Sequence, residues 1–210
     1  GRIIISQLLL RAARGPFKSR ATRIMSRMLD SLGVDRDARV SPLAPRQRRV
    51  VDGDGFITDW LVLGPFAADG GQPLDRAFVE EAALVPAGEQ TDGTAIRAGA
   101  DLGGRSWQRV ASAFSQVDLD ELWPDAPARD RVAYAAIHVY SPQDRSVLLD
   151  APDMIALRCG ADGGTKPLLN GHPVGRFDFV RDLVLDADRV DGLPLRQGWN
   201  LLVIKLHNPG

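Results

Sequence analysis

The stretch KPLLNGHPVGRF, Lys166–Phe177, decides the fold. An apolar run, Pro167-Leu168-Leu169, meets Asn170-Gly171, and His172-Pro173-Val174 leads away. Asn-Gly suits a two-residue hairpin turn of type I′, because both central residues of that turn need a positive φ. The stretch therefore predicts a strand, a tight reversal and a return strand. Asn170 and His172 sit at the tip of the reversal and are candidate ligand contacts. The plainer reading makes them a scaffold turn on the surface.

Working outward, the neighbouring signals are strands too. FITDWLVLGPF is rich in strand formers and is closed by Gly64-Pro65. RVAYAAIHVYS alternates, with Tyr134, Ala136, His138 and Tyr140 on one face and Ala135, Ile137 and Val139 on the other. DRSVLLDAPDMIALRCG holds two short apolar runs separated by a turn at Ala151-Pro152-Asp153. WNLLVIKLHN, introduced by LRQG, is the last strong strand. Short strands separated by turn residues predict an all-β, antiparallel two-sheet sandwich over residues 50–210. Residues 67–105 depart from this pattern, with many glycines and one helical patch, LDRAFVEEAAL. So long a connection in a compact domain often carries function.

Composition fits that reading. The chain has 210 residues, 44% hydrophobic and 25% charged, enough to bury a core, and its 21 glycines and 14 prolines favour many turns over long helices. A single cysteine, Cys159, excludes an internal disulfide and reads as a small buried hydrophobe.

The net charge of -1 hides a division. Residues 1–49 hold 12 Lys and Arg against 3 Asp, a net of +9, and residues 50–210 carry a net of -10. The division predicts a basic N-terminal arm and linker, 1–49, on an acidic body. IIISQLLLRAAR has apolar residues at helical spacing and is stopped by Gly15-Pro16; SRATRIMSRMLDSLG reads as a second short helix, from Ser19 to Gly33. Arg11, Arg14, Arg20, Arg23 and Arg27 are the candidate docking residues, for protein subunits of a larger assembly or for an anionic membrane surface. The apolar stripe could equally pack on the chain's own body. Nucleic acid is not an expected partner, since no aromatic residues interleave the arginines and the acidic body repels phosphate. The apolar start, broken by Ser6-Gln7, is far short of the roughly 20 residues that span a bilayer.

Four motifs taken together point to a family. They are Trp60-Leu61-Val62-Leu63-Gly64-Pro65-Phe66, Tyr134 to Pro142, Asn170 to Val174, and Gly198 to Lys205 with its Gly-Trp-Asn opening. In order and spacing the body resembles the galactose-binding-domain-like jelly rolls of bacterial envelope and secreted proteins. The resemblance implies an antiparallel two-sheet jelly roll, an accessory module beside a catalytic domain, a location in the cell envelope and, in several relatives, carbohydrate binding. It does not imply catalysis. Where relatives carry a Ser-Asp-Asp stretch before the hairpin, this chain has APD and GADGG.

No constellation supports an enzyme. There is no G-x-S-x-G elbow and no phosphate loop. His138, His172 and His207 lack metal-ligand spacing with Cys159. Asp52–Phe56, DGDGF, begins like a calcium loop, but Phe56 falls where a third oxygen ligand belongs. The expectation is no cofactor, with a structural calcium held by scattered carboxylates and carbonyls as the alternative. For a sugar, an exposed ring would stack on the pyranose, and Trp107 and Trp123 are the candidates because both lie near loops. Trp60 and Trp199 belong to strand motifs and read as core. The leading expectation is a non-catalytic interaction subunit docked by its basic arm; the alternative is a carbohydrate-binding module.

Overall fold

The computed structural model describes residues 3–4, 8–10, 57, 59–86, 96–111, 119–126, 130–145, 155–161, 163–178 and 187–209. The apolar runs become strands, and two sheets share a core. β1 (Ile3–Ile4), β2 (Leu8–Leu10), β3 (Asp59–Ala67), β4 (Asp101–Leu102), β5 (Arg105–Ser106) and β6 (Gln108–Ala111) are followed by β7 (Arg131–Ser141) and β8 (Ile155–Ala161). β9 (Gly164–Leu169), β10 (His172–Pro173), β11 (Asp188–Val190) and β12 (Gly198–Asn208) complete the described set. The larger sheet has six strands in the order β10-β9-β12-β7-β3-β6, and all its pairings are antiparallel. A smaller sheet is built on β8, with β11 on it and β1 and β2 also paired to it. β4 and β5 form a separate hairpin.

The long central strands are apolar because both faces of the large sheet are covered. On one face Ala133, Ala135 and Ile137 of β7, with Leu202 and Ile204 of β12, pack against Leu157, Cys159 and Ala161 of β8. This is the inter-sheet core. On the other face Tyr134, Ala136, Leu201 and Val203 are roofed by Val79, Leu84, Ile96 and Trp107 from the long connection. The alternation read in RVAYAAIHVYS is thus real, but both of its faces are interior. Cys159 is buried, as its apolar setting suggested.

The hairpin at Asn170-Gly171 forms as its chemistry requires. Both residues have positive φ, 50° and 79°, and Leu169 pairs with His172 across the turn.

Two local expectations are corrected. The first arm helix is not observed at its described positions: Ile3–Ile4 and Leu8–Leu10 are strands lying on β8. Each is a short apolar run that fits either period, and the backbone of β8 offers it hydrogen-bond partners. The second arm helix, Ser19 to Gly33, lies outside the described residues. The helical patch LDRAFVEEAAL is helical only as a single 3-10 turn, Glu81–Ala83. Its inward residues are Leu74, Val79 and Leu84, a spacing of five that no helix keeps on one face. No described helix is long and apolar enough to cross a membrane.

Candidate functional site

The long connection straps the outer face of the large sheet, and one polar cluster fixes it there. β9, β12 and β7 place Lys166, Lys205 and Tyr134 side by side in one cross-strand row. Two lysines in adjacent strands repel each other. Glu81, delivered by the 3-10 turn, drops its carboxylate onto the row. Its Oε1 accepts from Lys205 Nζ at 2.8 Å and from the Tyr134 hydroxyl at 2.9 Å, and its Oε2 accepts from Lys166 Nζ at 2.9 Å. Lys205 also donates to the carbonyls of Leu74 at 3.1 Å and Arg76 at 2.5 Å. Its side chain is fully buried, which a lysine tolerates only when every proton has an acceptor.

The titration of these groups follows from the geometry. Burial raises the Glu81 carboxyl, but the hydrogen bonds from Lys205, Lys166 and Tyr134 outweigh it and leave the group below the ordinary carboxylate value. Burial pushes the Lys205 ammonium down, against the pull of Glu81. Burial, and then the charge of Glu81, drive the Tyr134 phenol up, so it stays a donor. The cluster is a clamp: it holds residues 74–81 on the sheet.

Where the strap leaves β3, it bounds an open cleft of about 440 Å³. Pro65 and Phe66 form its apolar wall, and Asp69, Arg105 and Asp130 supply charge, with Ala67, Ala126 and Arg131, whose guanidinium nitrogens are buried, at the margin. Phe66 meets Tyr134 edge-on at 5.9 Å and Phe78 at 5.6 Å, so this wall continues into the core. Asp130 Oδ2 accepts the Gly70 N–H at 3.0 Å, and Oδ1 lies 3.1 Å from His207 Nε2. The Gly70 N–H, and then His207, hold the Asp130 carboxyl below the ordinary carboxylate range, so it is ionised. Asp69 lies 3.6 Å from the Arg76 guanidinium, which also donates to the carbonyl of Ala68. Arg105 donates from Nε to the carbonyl of Pro65 at 3.0 Å. Carboxylate oxygens, a guanidinium and an apolar wall in one concavity can accept from hydroxyls, donate to oxygens and cover a carbon face. The volume lies within the usual range for small-ligand sites.

The residues singled out in the sequence do not gather here. Trp107 is 2% exposed and is part of the roof over the outer face. Trp123 is half-buried against the inter-sheet core. Trp60 is buried, but Trp199 is only half-buried, edge-on to Tyr140 at 5.3 Å. Asn170 works within the scaffold: its Oδ1 accepts the Leu201 N–H at 2.8 Å and its Nδ2 donates to Asn200 Oδ1 at 3.0 Å. His172 is exposed on the return strand. Arg11, Arg14, Arg20, Arg23 and Arg27 lie outside the described residues, as does Asp52–Phe56. Among the described residues, no three His, Cys, Asp or Glu side chains gather in a way that could hold a metal ion.

Asp69, Arg105 and Asp130 were not singled out from sequence. The one usable signal was the length and glycine content of residues 67–105, which contain two of the three. Comparisons with protein-family models, with curated proteins and with solved structures find no match for this chain.

Proposed function

We propose that this chain is a non-catalytic β-sandwich module that binds carbohydrate in the cleft between Phe66, Asp69, Arg105 and Asp130. The observation that carries the reading is the composition of that cleft. Asp130 keeps a lone pair on each oxygen after bonding Gly70 and His207, and these suit the hydroxyls of a sugar. Pro65, half-buried, with the margin of the buried Phe66 ring beside it, offers a small apolar surface to the C–H face of a pyranose. The clamp on Glu81 holds the strap, so the cleft is formed before a ligand arrives, which lowers the ordering cost of binding. The jelly-roll resemblance of the body motifs and an accessory role in the cell envelope fit the same reading.

The alternative, a subunit docked on a larger assembly by its basic arm, rests on the +9 and -10 charge division. Ile3–Ile4 and Leu8–Leu10 lie on β8 of the same chain, so those apolar segments already have a partner. That favours the cleft over the arm as the functional element.

A glycan array probed with the full chain, beside a D69A/D130N variant, tests the proposal. Binding to a restricted set of glycans, lost in the variant while its circular dichroism is unchanged, is the expected result. A blank array, or glycan binding equal in the variant, overturns it.

A further inference from the structure

Arg105 makes the reading more specific. It stands in the β4–β5 hairpin, whose turn residues Gly103 and Gly104 both have positive φ. A Cβ on Gly103 would come within 2.8 Å of Val79 Cγ1 and 3.1 Å of the Phe78 carbonyl, so the hairpin is seated directly against the strap. Ser106 Oγ bonds Asp101 across the hairpin. The guanidinium is then oriented by its Nε bond to Pro65 O, the one side-chain hydrogen bond that Arg105 makes among the described residues. Both Nη groups remain, and these are the edge of the fork that grips a carboxylate through two parallel hydrogen bonds.

The local charge agrees. Asp69 has the Arg76 guanidinium 3.6 Å away, Asp130 has His207 Nε2 at 3.1 Å, and Arg105 lines the same cleft. A neutral sugar would occupy the two carboxylates and leave the Arg105 fork facing water. A sugar with a ring carboxylate uses both kinds of group: its hydroxyls donate to Asp69 and Asp130, and its carboxylate accepts from Arg105.

Resting on the carbohydrate reading, we infer that the cleft selects an acidic saccharide, a uronate-bearing glycan, with Arg105 as the specificity-determining residue.

The test is calorimetric titration of the full chain with galacturonate, mannuronate and glucuronate-containing tetrasaccharides, each as the free acid and as its methyl ester. The ester keeps the hydroxyls and removes the charge. At least one acid should bind, and its ester should bind more weakly by about tenfold or more, the value of a charge-assisted hydrogen bond. R105Q should lower affinity for the acid to about that for the ester, so that the acid-to-ester ratio falls close to one. R105K should recover part of the loss, since it restores charge without the fork. Acid and ester binding alike would overturn the inference and leave the carbohydrate reading standing. Binding by neutral glycans alone on the array would have the same meaning. If no acid and no neutral glycan binds, both fail.

Discussion

Replacing Lys205 by Met removes the centre of the clamp while keeping side-chain volume. Three bonds go at once: those to Glu81 Oε1 at 2.8 Å, Leu74 O at 3.1 Å and Arg76 O at 2.5 Å. The carboxylate of Glu81, whose side chain is only 12% exposed, keeps Lys166 and Tyr134 but loses its fully buried cationic partner. Two strap carbonyls lose their donor. Breaking a buried ion pair from one side costs about 3–5 kcal/mol. The contacts that Glu81 retains, the relief of repulsion between Lys205 and Lys166, and the apolar methionine all moderate the loss. The expected cost is therefore at the lower end, about 3 kcal/mol. Urea denaturation followed by tryptophan fluorescence measures it, and K205M, E81Q and the double variant together form a cycle. The clamp predicts a coupling of about 1–3 kcal/mol between the two positions. A K205M cost below about 1 kcal/mol, or two changes that simply add, would refute the reasoning.

Other consequences follow from single positions. His138 is fully buried opposite Leu201, and neither ring nitrogen has a hydrogen-bond partner among the described residues. Burial pushes its pKa down from 6.5 to about 4; below pH 6.5 the unfolded chain takes up a proton that the folded chain refuses. Stability should therefore fall as pH drops from 6.5 to 4, by about 3 kcal/mol from this group. H138L should flatten that part of a urea-midpoint series against pH, and an unchanged slope would contradict the assignment. Gly171→Ala places a Cβ 2.6 Å from the Ala82 carbonyl at a φ of +79°, so the hairpin tip and the strap must separate; a loss of about 2 kcal/mol or more is expected in thermal unfolding, and a neutral effect would show that the tip is not seated there. Cys159 is 1% exposed, so a thiol reagent should label it only as the chain unfolds, and rapid labelling under native conditions would contradict its burial.

The sheet was legible in the sequence because its strands are long and continuous. Arg131–Ser141 was bounded to the residue, and Asn170-Gly171 announced its own turn, since few other pairs accept two positive φ angles. The coverage of both sheet faces was not legible, because alternation shows that two faces differ and not what lies over each. The clamp left one trace: a lysine inside the apolar run LLVIKL, a position where a charge needs a partner. That the partner is Glu81, 124 positions away, follows only from the register of β12 and the path of the strap. The cleft was less legible still. Asp69 and Asp130 are ordinary surface acids in the sequence; they line one concavity because β3 and β7 are neighbours, and Asp130 is tied back to Gly70 beside Asp69. Proximity to loops, the sequence signal at Trp107 and Trp123, does not distinguish a ring laid over a ligand from one used, as Trp107 is, to roof a sheet.

The central claim is that the cleft binds a sugar, and residue-resolved nuclear magnetic resonance tests it most directly. The full, isotope-labelled chain would be titrated with acidic and neutral tetrasaccharides. The account predicts saturable shifts confined to Pro65–Asp69 (proline aside), Arg105, Ala126 and Asp130–Arg131, with the clamp residues Glu81 and Lys205 unmoved. No saturable shift with any saccharide, or shifts centred instead on Tyr140 and Trp199, would contradict it.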